Sequence, residues 1–204
     1  MFPEKIKESY NIKVPKIQDR PEKIVIIGMG GNLCAALLLK EILRKEIPIE
    51  IKQNTDFIQT KKTLIILLSY SGNTKEIIKS YKKIKNKKNS LVITSGGKLK
   101  KLVKNKKTNT INLEKNLNQR FTFAQCFYAA LKTLSENKII KNKNQQVKKT
   151  IQTLKKNQKK IEETALKIAL SLRGENPLIY ATETLYPSAY RMQTAIQEDA
   201  KIIT

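Results

Sequence analysis

The 204-residue sequence contains no histidine, which removes at once the commonest metal ligand and the commonest general acid–base of enzymes. Any proton transfer must then fall to Glu, Asp, Lys or Tyr. Its two cysteines, Cys34 and Cys126, stand far apart in apolar surroundings without the paired spacing of a metal or redox motif. Buried free thiols are expected, with no metal and no cofactor. No apolar run approaches the ~20 residues that span a bilayer, and the charged start from Met1 to Tyr10 lacks the apolar core of a signal peptide. A cytoplasmic protein with no membrane partner is expected. Acidic residues are also scarce, at 17 against 41 Lys and Arg, for a net charge of +24. Such an excess raises nucleic acid as a partner. Against that reading, lysine comes together with abundant Asn and Ile, and no interleaved aromatics are present to stack on bases. A solvated lysine-rich surface is the expectation.

What is present is alternation of strands and helices. After a polar lead-in over residues 1–20, Lys23–Gly28 (KIVIIG) is a β-branched run ending at glycine, and Leu33–Lys45 has helical spacing. Ile47–Ile51 alternates like a strand, while Thr63–Leu68 (TLIILL) is apolar throughout, as a strand covered on both faces must be. Helix is predicted over Lys75–Lys85, strand over Ser90–Thr94, helix over Lys98–Val103, strand over Thr110–Leu113 and helix over Phe121–Ser135. Five strands alternating with helices predict an α/β fold, a three-layer αβα domain with a five-stranded parallel sheet over residues 21–140. A lysine-rich connecting helix follows within 141–175. Val147, Ile151, Leu154, Ile161, Leu166 and Ile168 make the stripe along which it would pack. Residues 176–204 then read as one further strand, Pro177–Ala181, and one helix, Pro187–Lys201; a single such unit cannot make its own sheet.

Two loops carry the chemistry. Gly28-Met29-Gly30-Gly31-Asn32 follows the first strand and opens a helix, so free N–H groups and the positive end of the helix dipole are offered to an anion. Dinucleotide binding is the rival reading, with Glu50 where an acid would hold a ribose, but Leu33 occupies the place of the fingerprint's third small residue. A glycine turn without ligand is a further alternative. Ser69-Tyr70-Ser71-Gly72-Asn73-Thr74 lies between the most apolar strand and the next helix. Three hydroxyls plus first-turn N–H groups converge there, as a phosphate monoester requires. The competing reading is a helix cap at Asn73 or Thr74 and a serine turn. The position at the carboxyl ends of parallel strands favours phosphate.

GMGG, SYSGNT and the segment Thr94-Ser95-Gly96-Gly97-Lys98-Leu99 together resemble the sugar isomerase (SIS) domain, and more narrowly that of the archaeal bifunctional phosphoglucose/phosphomannose isomerases. Gln119-Arg120 resembles the family's Gln-Pro-Arg segment without its proline. Gln197-Glu198-Asp199-Ala200-Lys201 resembles a glutamate-bearing stretch at the start of a second SIS domain. The resemblance implies interconversion of glucose 6-phosphate or mannose 6-phosphate with fructose 6-phosphate through an enediolate. The alternative is a catalytically impaired sugar-phosphate-binding protein. Gly30, Gly31, Ser69, Ser71 and Thr74 match the family's phosphate-holding positions. Arg120 matches the arginine near the reacting carbons and Glu198 the base. Asn32 replaces the usual serine, and the family's ring-opening histidine and its C-terminal lysine have no counterpart; Lys201 is not a substitute. The chain would thus carry only the beginning of the second SIS domain. The family also implies a homodimer, or pairing with a separately encoded C-terminal half.

Overall fold

A computed structural model describes residues 2–104, 107–115 and 119–201, the side chains of residues 119–121 excepted. Its centre is one parallel sheet built from β1 (Lys23–Gly28), β2 (Ile49–Lys52), β3 (Thr63–Leu68), β4 (Ser90–Thr94) and β5 (Asn109–Asn112), in the order β2-β1-β3-β4-β5. The predicted α/β architecture stands. Around the sheet lie α1 (Phe2–Tyr10), α2 (Gly31–Leu43), α3 (Lys75–Lys83), α4 (Gly97–Val103) and α5 (Gln119–Glu136). Beyond them come α6 (Asn144–Ser171) and α7 (Tyr186–Ala195), the latter running on as a π-helical turn over Ile196–Ala200.

The three layers follow from the period-2 geometry of strands. Ile24, Ile26, Leu64, Ile66, Leu68, Leu91 and Ile93 point to one face and pack with Leu39, Leu43, Cys126, Ala130 and Leu134. Val25, Ile27, Ile65, Leu67 and Val92 point to the other, against Ile77, Tyr81, Leu99 and Val103 of α3 and α4. The central strands are therefore apolar without a break, whereas the edge strands β2 and β5 are half exposed. Register aligns the strand ends: Gly28 pairs with Leu68, Leu68 with Ile93, and Thr94 with Asn112. Because the chain moves outward from β1 to β2 and returns to β3, the β1 and β3 loops flank a switch point.

Three features depart from the sequence reading. The lead-in contains α1, whose Pro3, Ile6, Ser9 and Tyr10 are buried against α5; its lysines and glutamates concealed a single apolar face. Pro177–Ala181 forms no ladder among the described residues. A strand needs a neighbouring edge, and here Leu178 is 75% and Tyr180 89% exposed. On α6, Val147 is buried and Ile151 and Leu154 are partly buried, but Ile161, Leu166 and Ile168 face solvent, so the stripe packs only along the first turns.

An ion pair of low exposure ties the end of α2 to the α5–α6 connection. Glu46 accepts from Lys143 Nζ and from the Lys141 N–H at 2.7 Å, with the paired side chains 15% and 13% exposed. Burial works to raise the Glu46 carboxyl, but the hydrogen bonds from Lys143 and Lys141 outweigh it and hold its pKa below the ordinary value. A depressed carboxylate contributes stability above its unfolded pKa of about 4.3, and that contribution is lost as the pH falls toward the folded value. Glu46→Gln should therefore lower stability at pH 7 by an amount between the about 0–1 kcal/mol of an exposed pair and the about 3–5 kcal/mol of a buried one. Thermal melts across pH 3–7 check this: the difference between variant and wild type should shrink at the acid end.

Candidate functional site

At the carboxyl edge of the sheet, a cleft of about 170 Å³ is lined by Gly31, Asn32, Tyr70, Ser71, Thr122 and Glu198. Four distant segments meet there: the start of α2, the β3–α3 loop, the start of α5 and the π-helical turn after α7. Of the residues marked out in the sequence, the structure brings Gly31, Ser71 and Glu198 to this wall. The Arg120 side chain lies outside the described residues. Larger hollows exist, one of about 450 Å³ beside Tyr180 and Tyr190, but that one is lined only by residues 178–193, remote in sequence from the strand-end loops.

The β1 loop leaves space at the cleft. Gly30 caps α2 without a side chain, and a β-carbon on Gly30 or Gly31 would meet nothing within 4 Å. Asn32, noted as a departure from the family, stands beside them with its Oδ1 buried and unpartnered. Glu50, the residue of the dinucleotide reading, lies on edge strand β2 paired to Lys23 at 2.5 Å and Lys52 at 2.8 Å. Those hydrogen bonds hold its pKa down to about 2, and its carboxylate is already engaged.

The β3 loop is shaped by backbone contacts. Gly72 has φ +65°, and a β-carbon there would lie 1.9 Å from the Gly96 carbonyl oxygen; Gly97 has φ +68°, and its β-carbon would lie 2.3 Å from the Ser71 carbonyl oxygen. The loops after β3 and β4 thus touch backbone to backbone, which glycine alone permits. Hydrogen bonds complete the brace. The Tyr70 carbonyl accepts from Ser95 N–H at 3.0 Å and Ser95 Oγ at 2.8 Å, while Leu99 N–H donates to the Gly72 carbonyl at 2.8 Å and Lys98 N–H to Asn73 Oδ1 at 3.0 Å. TSGGKL therefore props up SYSGNT.

Within that loop the three hydroxyls are not equivalent. Ser69 is 1% exposed, its Oγ accepts the Gly72 N–H at 3.2 Å, and it lies 3.3 Å from Thr74 Oγ1. Ser71 is exposed and reaches the cleft, its Oγ accepting the Asn73 N–H at 3.3 Å. Thr74 precedes α3 without a side-chain cap, which leaves the first-turn N–H groups of that helix without a capping hydroxyl. The cleft is thus bordered by Ser71 and by the start of α2, with Gly31 and Asn32 in its wall.

Two lining residues were not anticipated. Tyr70 sits between the serines, with its hydroxyl donating to the Glu114 carbonyl at 2.9 Å. Thr122 opens α5 within the Phe121-Thr122-Phe123 run. Their place inside the quoted motifs was the available signal, and neither carries a charge that would have drawn attention.

An open five-stranded parallel sheet with flanking helices is an α/β fold of the sugar isomerase (SIS) type. The same fold, aligned over 99% of this chain, occurs in the C-terminal domain of glucosamine-fructose-6-phosphate aminotransferase from Francisella tularensis (TM-score 0.69, 19% identity, 64% of that chain). A Clostridium difficile 630 protein assigned as a phosphosugar isomerase matches equally well (TM-score 0.69, 13% identity, 99% of this chain and 65% of that one). In sequence, this chain is 32% identical to the bifunctional phosphoglucose/phosphomannose isomerase of Thermoplasma volcanium, over 89% of its length and 58% of the relative. It is 28% identical to the Caldicellulosiruptor bescii protein of the same name, covering 98% of this chain and 64% of that one. A Sulfolobus acidocaldarius D-glucosamine-6-phosphate 4-epimerase is 30% identical over 88% of this chain and 58% of the epimerase. No protein-family model matches. In sequence the chain is thus a relative of the bifunctional phosphoglucose/phosphomannose isomerases, in fold it matches SIS-domain phosphosugar isomerases, and it spans less than two thirds of the length of these relatives.

The glycine geometry predicts a contrast. Gly72→Ala should cost about 2–4 kcal/mol, because it joins left-handed strain to a backbone clash. Gly31→Ala should change stability by less than about 0.5 kcal/mol while setting a methyl in the cleft wall. Urea unfolding gives the first quantity for both variants, and titration with a sugar phosphate should show weakened binding in Gly31→Ala.

Proposed function

We propose that this chain binds a hexose 6-phosphate and interconverts glucose 6-phosphate or mannose 6-phosphate with fructose 6-phosphate. The observation that carries the reading is the single cleft shared by Gly31, Ser71 and Glu198. In the proposed mechanism the phosphate rests against Ser71 and the N-termini of α2 and α3, with Gly30 and Gly31 allowing close approach. Ser69 and Thr74 hold the loop in shape through their hydroxyl contact. Glu198 takes the proton from C2 of the aldose as the C–H electrons form the C1–C2 double bond and the C1 carbonyl oxygen gains the negative charge. Arg120 offsets that charge, the proton of the C2 hydroxyl passes to O1, and as the O2 electrons form the C2 carbonyl Glu198 returns its proton to C1 to leave the ketose. Both cysteines are buried and take no part in this mechanism.

Partners belong to the same proposal. Ile161, Leu166, Leu170, Leu178 and Tyr180 are exposed together on the distal part of α6 and the segment after it. Such a surface supports a covering polypeptide, either a second copy in a homodimer or a separately encoded C-terminal half. The Sulfolobus relative's name makes glucosamine 6-phosphate the next sugar to test. Kinship with metabolic enzymes, and the two unpaired thiols, support a cytoplasmic location.

A second reading, sugar-phosphate binding without turnover, is favoured by the exposure of Glu198. Proton exchange separates the two. In deuterated water, fructose 6-phosphate should yield aldose carrying deuterium at C2, seen by NMR, with the rate lowered at least about a hundredfold in Glu198→Gln. Ser71→Ala should raise KM roughly tenfold or more with kcat little changed, the loss of one hydrogen bond to an anion. Thermal stabilisation by the sugar phosphate without any exchange would select the binding reading.

A further inference from the structure

The proposed base reaches the cleft by an unusual route. Between residues 148 and 200 only Pro187 is buried, so α6 from Lys159 onward and the segment to Leu185 stand clear of the domain, and the chain returns only when α7 meets α2. Two contacts support that return. Pro187 is covered, and its carbonyl accepts a hydrogen bond from the Cys34 thiol of α2 at 3.6 Å. Arg191 places its guanidinium carbon 5.1 Å from the ring centroid of Phe123 on α5, within cation–π range. Its Nη1 also donates to Thr194 Oγ1 at 3.3 Å, which turns the guanidinium back along its own helix. Phe123 is in turn stacked on Phe2 of α1 at 6.3 Å, so the ring under the guanidinium is itself held. Glu198 follows on the same continuous helix, some two turns beyond Arg191.

We propose that Arg191 is a positioning residue: by clamping α7 onto the Phe123 ring and over Cys34, it holds Glu198 at the cleft, and this docking opens and closes as a unit. The inference rests on the reading of Glu198 as the base, but the clamp can be measured without it. Cys34 is fully buried beneath α7 and its thiol is pushed up to about 11 by burial, so it is protected from thiol reagents while the helix is docked. Cys126, fully buried on the inner face of α5 and pushed up to about 12 by burial, serves as the internal reference for wider opening of the domain.

The test is maleimide labelling of the full chain, read by mass spectrometry at each cysteine, alongside the deuterium exchange of fructose 6-phosphate. Arg191→Ala and Phe123→Leu should label Cys34 roughly twofold to thirtyfold faster than wild type, the population shift that a cation–π contact supports, with Cys126 unchanged. Arg191→Lys, which keeps the cation, should fall between. In the same variants kcat should drop while KM for the sugar phosphate stays near wild type, since Ser71 and the helix N-termini are untouched. Equal Cys34 labelling in wild type and Arg191→Ala overturns the clamp. Faster labelling with unaltered kcat overturns the link to Glu198. If wild type shows no exchange at all, the isomerase reading falls instead, and the labelling comparison still decides whether Arg191 docks the helix.

Discussion

The contact on which the cleft depends is backbone against backbone, Gly72 on Gly96 and Gly97 on Ser71. Side chains at either glycine would force the loops after β3 and β4 apart, because carbonyl oxygens stand where a β-carbon would be. With the loops in contact, the polar backbone groups of the β4 turn and the first turn of α4 are satisfied inside the protein. Ser95, Lys98 and Leu99 all donate to the β3 loop. This holds Ser71 at the cleft, across from the start of α2. A parallel sheet brings such ends together because every strand finishes at the same edge.

Charge plays a smaller part than composition suggests. The chain carries a large excess of lysine, yet none stands in the cleft wall among the described residues, whose polar atoms come from serine, asparagine, threonine, tyrosine and one glutamate. Neutral donors and helix dipoles suit a dianionic phosphate held near a carboxylate, because the ligand's charge is met by groups that need no counter-ion. Acids that are paired lie elsewhere, such as Glu46 with Lys143 and Glu50 with Lys23 and Lys52. Those pairs tie elements of the framework together and leave the cleft's carboxylate to Glu198.

The core of the fold was legible because its signals are local and repetitive. Unbroken apolar runs at Val25–Ile27 and Leu64–Leu68 mark strands covered on both faces, and the glycines after them mark where the chain turns. α1 was not legible, since its apolar face is spread among Lys and Glu residues and becomes visible only against α5. Pro177–Ala181 read as a strand on composition alone. Strand formation is not a local property, and this segment joins no sheet edge among the described residues. The stripe on α6 similarly marks a helix but says nothing of how far along it a neighbour extends.

For the cleft the division is sharper. By itself the sequence determined the αβα architecture, the two loops at the strand ends, and the motifs SYSGNT and TSGGKL that relate the chain to SIS-domain proteins; periodicity and short-range spacing carry all of these. Only the tertiary structure decided which hydroxyl faces outward, Ser71 and not the buried Ser69, because that depends on the curl of the loop against Gly96 and Gly97. Only it decided that Tyr70 and Thr122 line the cleft and that Glu198 arrives from the far end of the chain. Residues more than a hundred positions apart meet through the packing of α7 on α2 and of Arg191 on Phe123, contacts between surfaces that no local pattern in either segment records.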